Sequence, residues 1–222
     1  TPGAADIEGW ARAALTGATG SDDGLVHISP DGGHTWNRLK LPLSTQTGKG
    51  DKLKHLWVSE VSWSQHDPDL LVVALNGYRH DCLDAMVFAT RDAGKSWEDW
   101  GQHLPHEPVN ALVESADRVG WWIVGTDGGA YLTTDAGTSF SMLHQDLPRV
   151  PVHDLVIQER ENDLVIGTHG RGIYVLDLSP LMDKAGSPGA WGAASLAFEE
   201  GAIDAVRASW WGERGWAWSE PE

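Results

Sequence analysis

The sequence predicts an all-β protein assembled from repeated four-stranded antiparallel sheets, and three observations predict it. An eight-residue phrase occurs three times, as Ser29-Pro30-Asp31-Gly32-Gly33-His34-Thr35-Trp36, Thr90-Arg91-Asp92-Ala93-Gly94-Lys95-Ser96-Trp97 and Thr133-Thr134-Asp135-Ala136-Gly137-Thr138-Ser139-Phe140. Each copy follows a short apolar run and precedes another strand-like stretch, which is the setting of a β-hairpin turn. Asp31 and Asp92 are 61 residues apart and Asp92 and Asp135 are 43 apart; one blade of a β-propeller takes roughly 40 to 50 residues.

The elements follow in order. The clearest unit runs over 109–147, with strands at 109–113, 121–125, 130–133 and 138–143, a turn at Asp127-Gly128-Gly129 and the repeated phrase between the last two strands. Four short antiparallel strands joined by turns make one blade. The unit before it, 55–104, has strands near 56–63, 70–75, 85–90 and 96–100. The long polar stretches 43–54 and 76–84 read as surface insertions in its vicinity. A first unit, 1–41, supplies strands at 13–19, 25–29 and 35–39 but shows no convincing innermost strand. A last unit, 152–178, supplies strands at 152–158, 163–168 and 173–178, with no repeated phrase and no obvious fourth strand. Residues 179–222 read as a Gly/Ala linker followed by a Trp-rich tail. About four blades, with the first and last incomplete, read as part of a larger ring.

Within each phrase the Asp is placed to accept hydrogen bonds from turn amides, the Gly to take a positive φ, and the aromatic ring to anchor the outgoing strand. The residues given these structural roles are Asp31, Gly33 and Trp36, Asp92, Gly94 and Trp97, and Asp135, Gly137 and Phe140. The chain holds 13 Trp against 3 Phe and 3 Tyr. Trp57, Trp63, Trp97, Trp121 and Trp122 fall in or beside strands, where each ring would bury ~150 to 250 Å² between sheets.

Composition excludes several classes. With 32 acidic against 16 basic residues the formal charge is −16, a field that disfavours nucleic acid and anionic membrane and suits neutral or cationic partners, sugars included. It is equally the charge of a merely soluble surface. No apolar run approaches the roughly 20 residues of a membrane-spanning helix. A lone cysteine, Cys82, forms no internal disulfide, and no set of residues has the spacing of a metal site. Neither metal nor cofactor is expected. The chain opens on Thr1 without a secretory signal, which fits a mature or trimmed piece.

The repeated phrase resembles the Asp-box of BNR-like β-propellers such as sialidases, sortilin-type receptor domains and xyloglucanase-like enzymes. The stretch Pro151-Val152-His153-Asp154 followed by Thr168-His169-Gly170-Arg171-Gly172-Ile173-Tyr174-Val175-Leu176-Asp177 resembles the closing blade of the bacterial secreted sortilin-like, glycosyl-hydrolase-like repeat proteins. The resemblance covers about 17–178. It implies the C-terminal part of a propeller, a secreted or periplasmic location, and Asp-boxes that act as staples on the face away from the ligand.

Candidate functional residues follow from topology. In a four-stranded blade the turn between strands two and three lies at the opposite end from the Asp-box turn, and it shares its end with the connections between blades. Those turns carry Asp22 and Asp23, then Tyr78, Arg79, His80 and Asp81, then Asp127, then His169 and Arg171. Arg79 and Arg171 suit a carboxylate or a sugar hydroxyl, His80 and His169 hydrogen-bond near neutral pH, and Tyr78 stacks on a sugar ring. His169 and Arg171 serve equally well as locks on neighbouring carbonyls. No catalytic residue is assigned. A glycosidase needs two carboxyl groups at defined separation; Asp22, Asp23, Asp81, Asp84 and Asp127 supply possible pairs, whereas two Arg fall short of the three a sialidase resemblance implies. The expected function is a non-catalytic module that binds protein or glycan, with glycoside hydrolysis and a structural half-ring as alternatives. Expected partners are that ligand, neither nucleic acid nor membrane, and either a second copy or the remainder of a larger propeller.

Overall fold

The computed structural model describes residues 17–43, 56–143, 147–179, 181 and 203–204. The strands among them form four antiparallel sheets, each ordered as the chain runs. The first holds β1 (Gly17–Gly20), β2 (Val26–Ser29) and β3 (Asn37–Leu39). The second holds β4 (Trp57–Trp63), β5 (Leu71–Gly77), β6 (Cys82–Thr90) and β7 (Glu98–Asp99). The third holds β8 (Val109–Glu114), β9 (Trp122–Thr126), β10 (Gly129–Thr133) and β11 (Ser141–Met142). The fourth holds β12 (Val152–Gln158), β13 (Asp163–Thr168), β14 (Ile173–Asp177) and β15 (Ile203–Asp204).

Alternation along the central strands decides how the sheets stack. In β5, Leu71, Val73 and Leu75 face the first sheet with Val26 and Ile28. The intervening Val72 and Ala74 face the third, where they meet Leu112, Trp122 and Val124. A third apolar layer, built from Ile123, Leu132, Leu155, Leu164 and Leu176, fills the junction between the third and fourth sheets. A strand buried on both faces has no polar register to slip into, so period-two apolar runs specify both neighbours at once. The first strands β4, β8 and β12 lie side by side, as the inner strands of successive blades must.

The structure departs from the sequence reading in four places. The fourth sheet does have an outer strand: β15 pairs Asp204 with Val175 and Ile203 with Leu176, so the presumed linker and tail return a strand to the last blade. The insertion read over 76–84 contracts to Tyr78–Asp81, because Asn76 and Gly77 are buried in β5 and Cys82 is buried at the start of β6. The strand read over 138–143 is reduced to β11. Trp100, left out of the packing set, is deeply buried in T-shaped contact with Trp122 at 5.9 Å, whereas Trp57, Trp63 and Trp97 are only half-buried. Residues 13–16, 44–54 and the Trp-rich stretch 210–218 lie outside the described residues.

The three Asp-boxes repeat one hydrogen-bond plan. In the first, the Thr35 N–H donates to Asp31 Oδ1 at 2.7 Å and the Thr35 hydroxyl to Oδ2 at 2.6 Å, while the Gly33 N–H donates to Ser29 Oγ at 2.7 Å. Ser96 serves Asp92 in the same way at 2.8 and 2.6 Å, and Ser139 serves Asp135 at 2.9 and 2.6 Å. Hydrogen bonds to the charged form hold these carboxyls low. The Ser96 hydroxyl and N–H bring Asp92 down to about 2, and Thr35 lowers Asp31 likewise. Burial works against Asp135, yet Ser139 and Thr133 still bring it down.

Candidate functional site

Antiparallel order puts the Asp-boxes at one end of the sheets and the β1–β2, β5–β6, β9–β10 and β13–β14 turns at the other. The connections from one sheet to the next also lie at this second end. There the first strand of each complete sheet carries a β-bulge at a matching place. The register shifts between Val58 and Glu60 in β4, between Val109 and Ala111 in β8, and between Val152 and Asp154 in β12. The extra residues are Ser59, Asn110 and His153. Bulges re-aim a side chain without breaking the ladder on either side.

Two of these bulge residues reach the turns of this end. Asn110 accepts from Asn76 Nδ2 at 2.7 Å and donates through its own Nδ2 to Asp127 Oδ1 at 2.9 Å, linking the second and third sheets. The His153 ring lies 5.3 Å from that of His169, tilted by 34°. Ser59 holds the equivalent position in β4, and its buried hydroxyl has no hydrogen-bond partner among the described residues. Such a group costs about 1 to 3 kcal/mol unless something satisfies it.

The predicted residues are distributed over this end as follows. Arg79 places its guanidinium 4.6 Å over the Trp57 ring, a cation–π contact, and Tyr78 beside it is 62% exposed. His80 completes the short 3-10 turn, and Asp81 ends it in the left-handed region at φ 53°. Asp127 is half-buried and held by Asn110. His169 joins His153 within its own sheet and donates its N–H to the Pro151 carbonyl at 2.9 Å. Arg171 is exposed. Asp22 and Asp23 are exposed on the β1–β2 turn, where the Ser21 hydroxyl donates to Asp23 and lowers its carboxyl. The contacts thus join the second turn to the third through Asn110, and the fourth turn to β12.

The connections add residues that the turn argument missed. Glu107 accepts from the Thr126 hydroxyl and from Arg149, both at 2.6 Å, tying the connection into the third sheet to the connection out of it. The Tyr131 hydroxyl lies 3.4 Å from the same carboxylate, and burial together with that charge pushes Tyr131 up to about 12. His106 pairs with Asp84 at 2.7 Å. In β4, burial pushes the Glu60 carboxyl up; the Val61 N–H opposes this and the charge of Asp154 adds to it. The sequence signal for these inner-strand positions is no more than a Val followed by a polar residue, at Val58-Ser59, Val109-Asn110 and Val152-His153. Among the described residues no group of three or more His, Cys, Asp or Glu is placed to hold a metal ion, and no helix is long and apolar enough to cross a membrane.

No protein-family model matches the sequence, and no curated protein matches it. Solved structures match in fold. The GH74 xyloglucanase from Xanthomonas campestris is similar over 75% of this chain and 28% of its own, with 15% identity and a TM-score of 0.56. YCF48 bound to D1 peptide is similar over 73% of this chain and 47% of its own, with 16% identity and a TM-score of 0.51. YCF48 from Cyanidioschyzon merolae gives 74%, 50%, 16% and 0.52 in the same order. The described residues therefore form four sheets of a β-propeller, similar in fold to Asp-box propellers, and the chain spans half or less of each of these solved chains.

Proposed function

We propose that this segment is a non-catalytic binding module whose protein or glycan ligand sits at the end opposite the Asp-boxes. One observation carries the proposal: three equivalent bulges set a hydroxyl, an amide and an imidazole at the same level of the inner strands, the first of them two residues from Trp57, over which Arg79 lies beside the exposed Tyr78. Polar groups at one level beside the exposed Tyr78 ring suit sugar hydroxyls and a sugar face, or an extended peptide. Other carboxylates of this end are engaged: Glu107 with Arg149, Asp84 with His106, Asp127 with Asn110. A secreted or periplasmic setting, proposed on the resemblance, suits such a role.

The test is titration of the full chain with β-glucan oligosaccharides and with an extended peptide, read by tryptophan fluorescence. Binding of either, lost on combining Arg79→Ala with Asn110→Ala while the circular dichroism stays intact, supports the site. Binding that survives both substitutions refutes it.

A second reading rests on Glu60. A carboxyl raised chiefly by burial, with the charge of Asp154 adding to it, suits the general acid of glycoside hydrolysis, and the similarity to a xyloglucanase fold supports trying it. It shifts the catalytic pair from the turn aspartates to Glu60 and Asp154. Release of reducing sugar from xyloglucan, abolished by Glu60→Gln, would establish it; no release by the folded chain would remove it.

A further inference from the structure

We propose that the outward faces of the first and fourth sheets are two halves of one interface, closed into a ring by a second copy of this chain. Each internal junction is apolar on both sides. The outward face of the fourth sheet repeats that pattern at its centre, because Val156 pairs with Val165 and Val165 with Val175, a single row across three strands. None of the three belongs to an internal core. Val156 is 52% exposed, and Ile173 in the adjoining row is 57% exposed. The next row is acidic, with Asp163 directly opposite Asp177.

The outward face of the first sheet is polar and offers a charge opposite to the acidic row. Its central row is Thr19, His27 and Arg38, cross-strand partners in register, where the internal sheets place apolar side chains. Arg38 is exposed, with Asp23 as the acid whose carboxyl feels its charge. In a chain with 32 acids and 16 bases, a polar row bearing the exposed Arg38 at one end of the stack and an acidic, valine-centred face at the other fit head to tail. A two-fold axis makes that contact twice, so the assembly closes without an open edge.

The box tryptophans carry the same message. Trp97 of the second box donates its indole N–H across the junction to the Lys40 carbonyl of the preceding sheet at 3.0 Å. Trp36 of the first box is 45% exposed and turns its N–H back to the Gly33 carbonyl at 3.1 Å. A preceding sheet is what Trp36 has in the closed ring. Closure also brings Glu60, Asn110 and Asp154 of both copies around one channel and completes the inner-strand level.

The experiment is light scattering after size exclusion of the full chain over a hundredfold range of concentration. The expected mass is twice the 24.1 kDa of one chain. Val175→Glu and, at the more exposed position, Val156→Glu should each return a single-chain mass with unchanged circular dichroism. Arg38→Glu should weaken association about tenfold, and Asp177→Arg added to it should restore most of the loss, as expected of a facing charge pair. A single-chain mass at every concentration overturns the proposal. So does a dimer indifferent to Val175→Glu and Arg38→Glu, because the contact then lies elsewhere. A monomer in which Val175→Cys resists alkylation also overturns it, since the face is then covered by another part of the same chain.

Discussion

Replacing Gly137 by Ala separates the two reasons a glycine occupies the Asp-box. Gly137 sits at φ +84°, and a Cβ there would overlap the Trp100 indole at Cδ2, Cε2 and Cγ. The indole cannot retreat easily, because Trp100 is buried between the second and third sheets against Trp122. The left-handed backbone costs an L-residue about 1 to 2 kcal/mol, and overpacking a filled junction costs about 1 to 3 kcal/mol more. The sum, about 2 to 5 kcal/mol, is a large part of the roughly 5 to 15 kcal/mol that holds an ordinary domain folded. Gly33 is the control: its φ is +93°, but its nearest neighbour, Trp36 Cζ2, is 3.8 Å away. Gly33→Ala should lose the backbone contribution alone. Urea unfolding followed by tryptophan fluorescence gives both numbers, and near-ultraviolet circular dichroism reports the Trp100–Trp122 pair. Equal losses in the two variants would refute the idea that the third box is keyed into the second sheet.

Other outcomes follow from the same geometry. Asp92→Asn should flatten the acid limb of stability. The folded carboxyl at about 2 lies below its ordinary 3.8, so its contribution is present above pH 3.8 and is lost as pH falls towards 2; unfolding of wild type and variant from pH 5 to pH 2 should converge at the acid end. Glu60→Gln should stabilise the chain at pH 7, where burial penalises the ionised Glu60, and that gain should vanish below pH 4.5, where wild-type Glu60 is neutral even when unfolded. Chemical denaturation at pH 7 and pH 4 checks the sign. Trp97→Phe should cost about 0.5 to 1.5 kcal/mol for the lost bond to Lys40, and more than Trp36→Phe, whose bond stays within its own turn.

The Asp-boxes were legible because their hydrogen bonds run between residues two to four apart, Ser29 to Gly33 or Asp92 to Ser96, so the chain states donor and acceptor together. The sheet faces were legible because Leu71 to Leu75 alternate between two neighbours. The candidate end followed as well, since antiparallel order dictates which turns share it. The site itself did not. Whether Ser59, Asn110 and His153 bulge depends on pairing with β5, β9 and β13, and Asn110 meets Asn76 only because two sheets stack. Nor could the tail be read as the source of β15, because a two-residue edge strand is defined by its pairing with β14, distant in the chain. Local hydrogen bonding and period-two burial are written residue by residue; bulges, cross-sheet contacts and edge strands are decided by partners distant in the chain. The sequence alone determined the repeated sheets and their staples. Only the tertiary structure decided which polar groups converge at the other end.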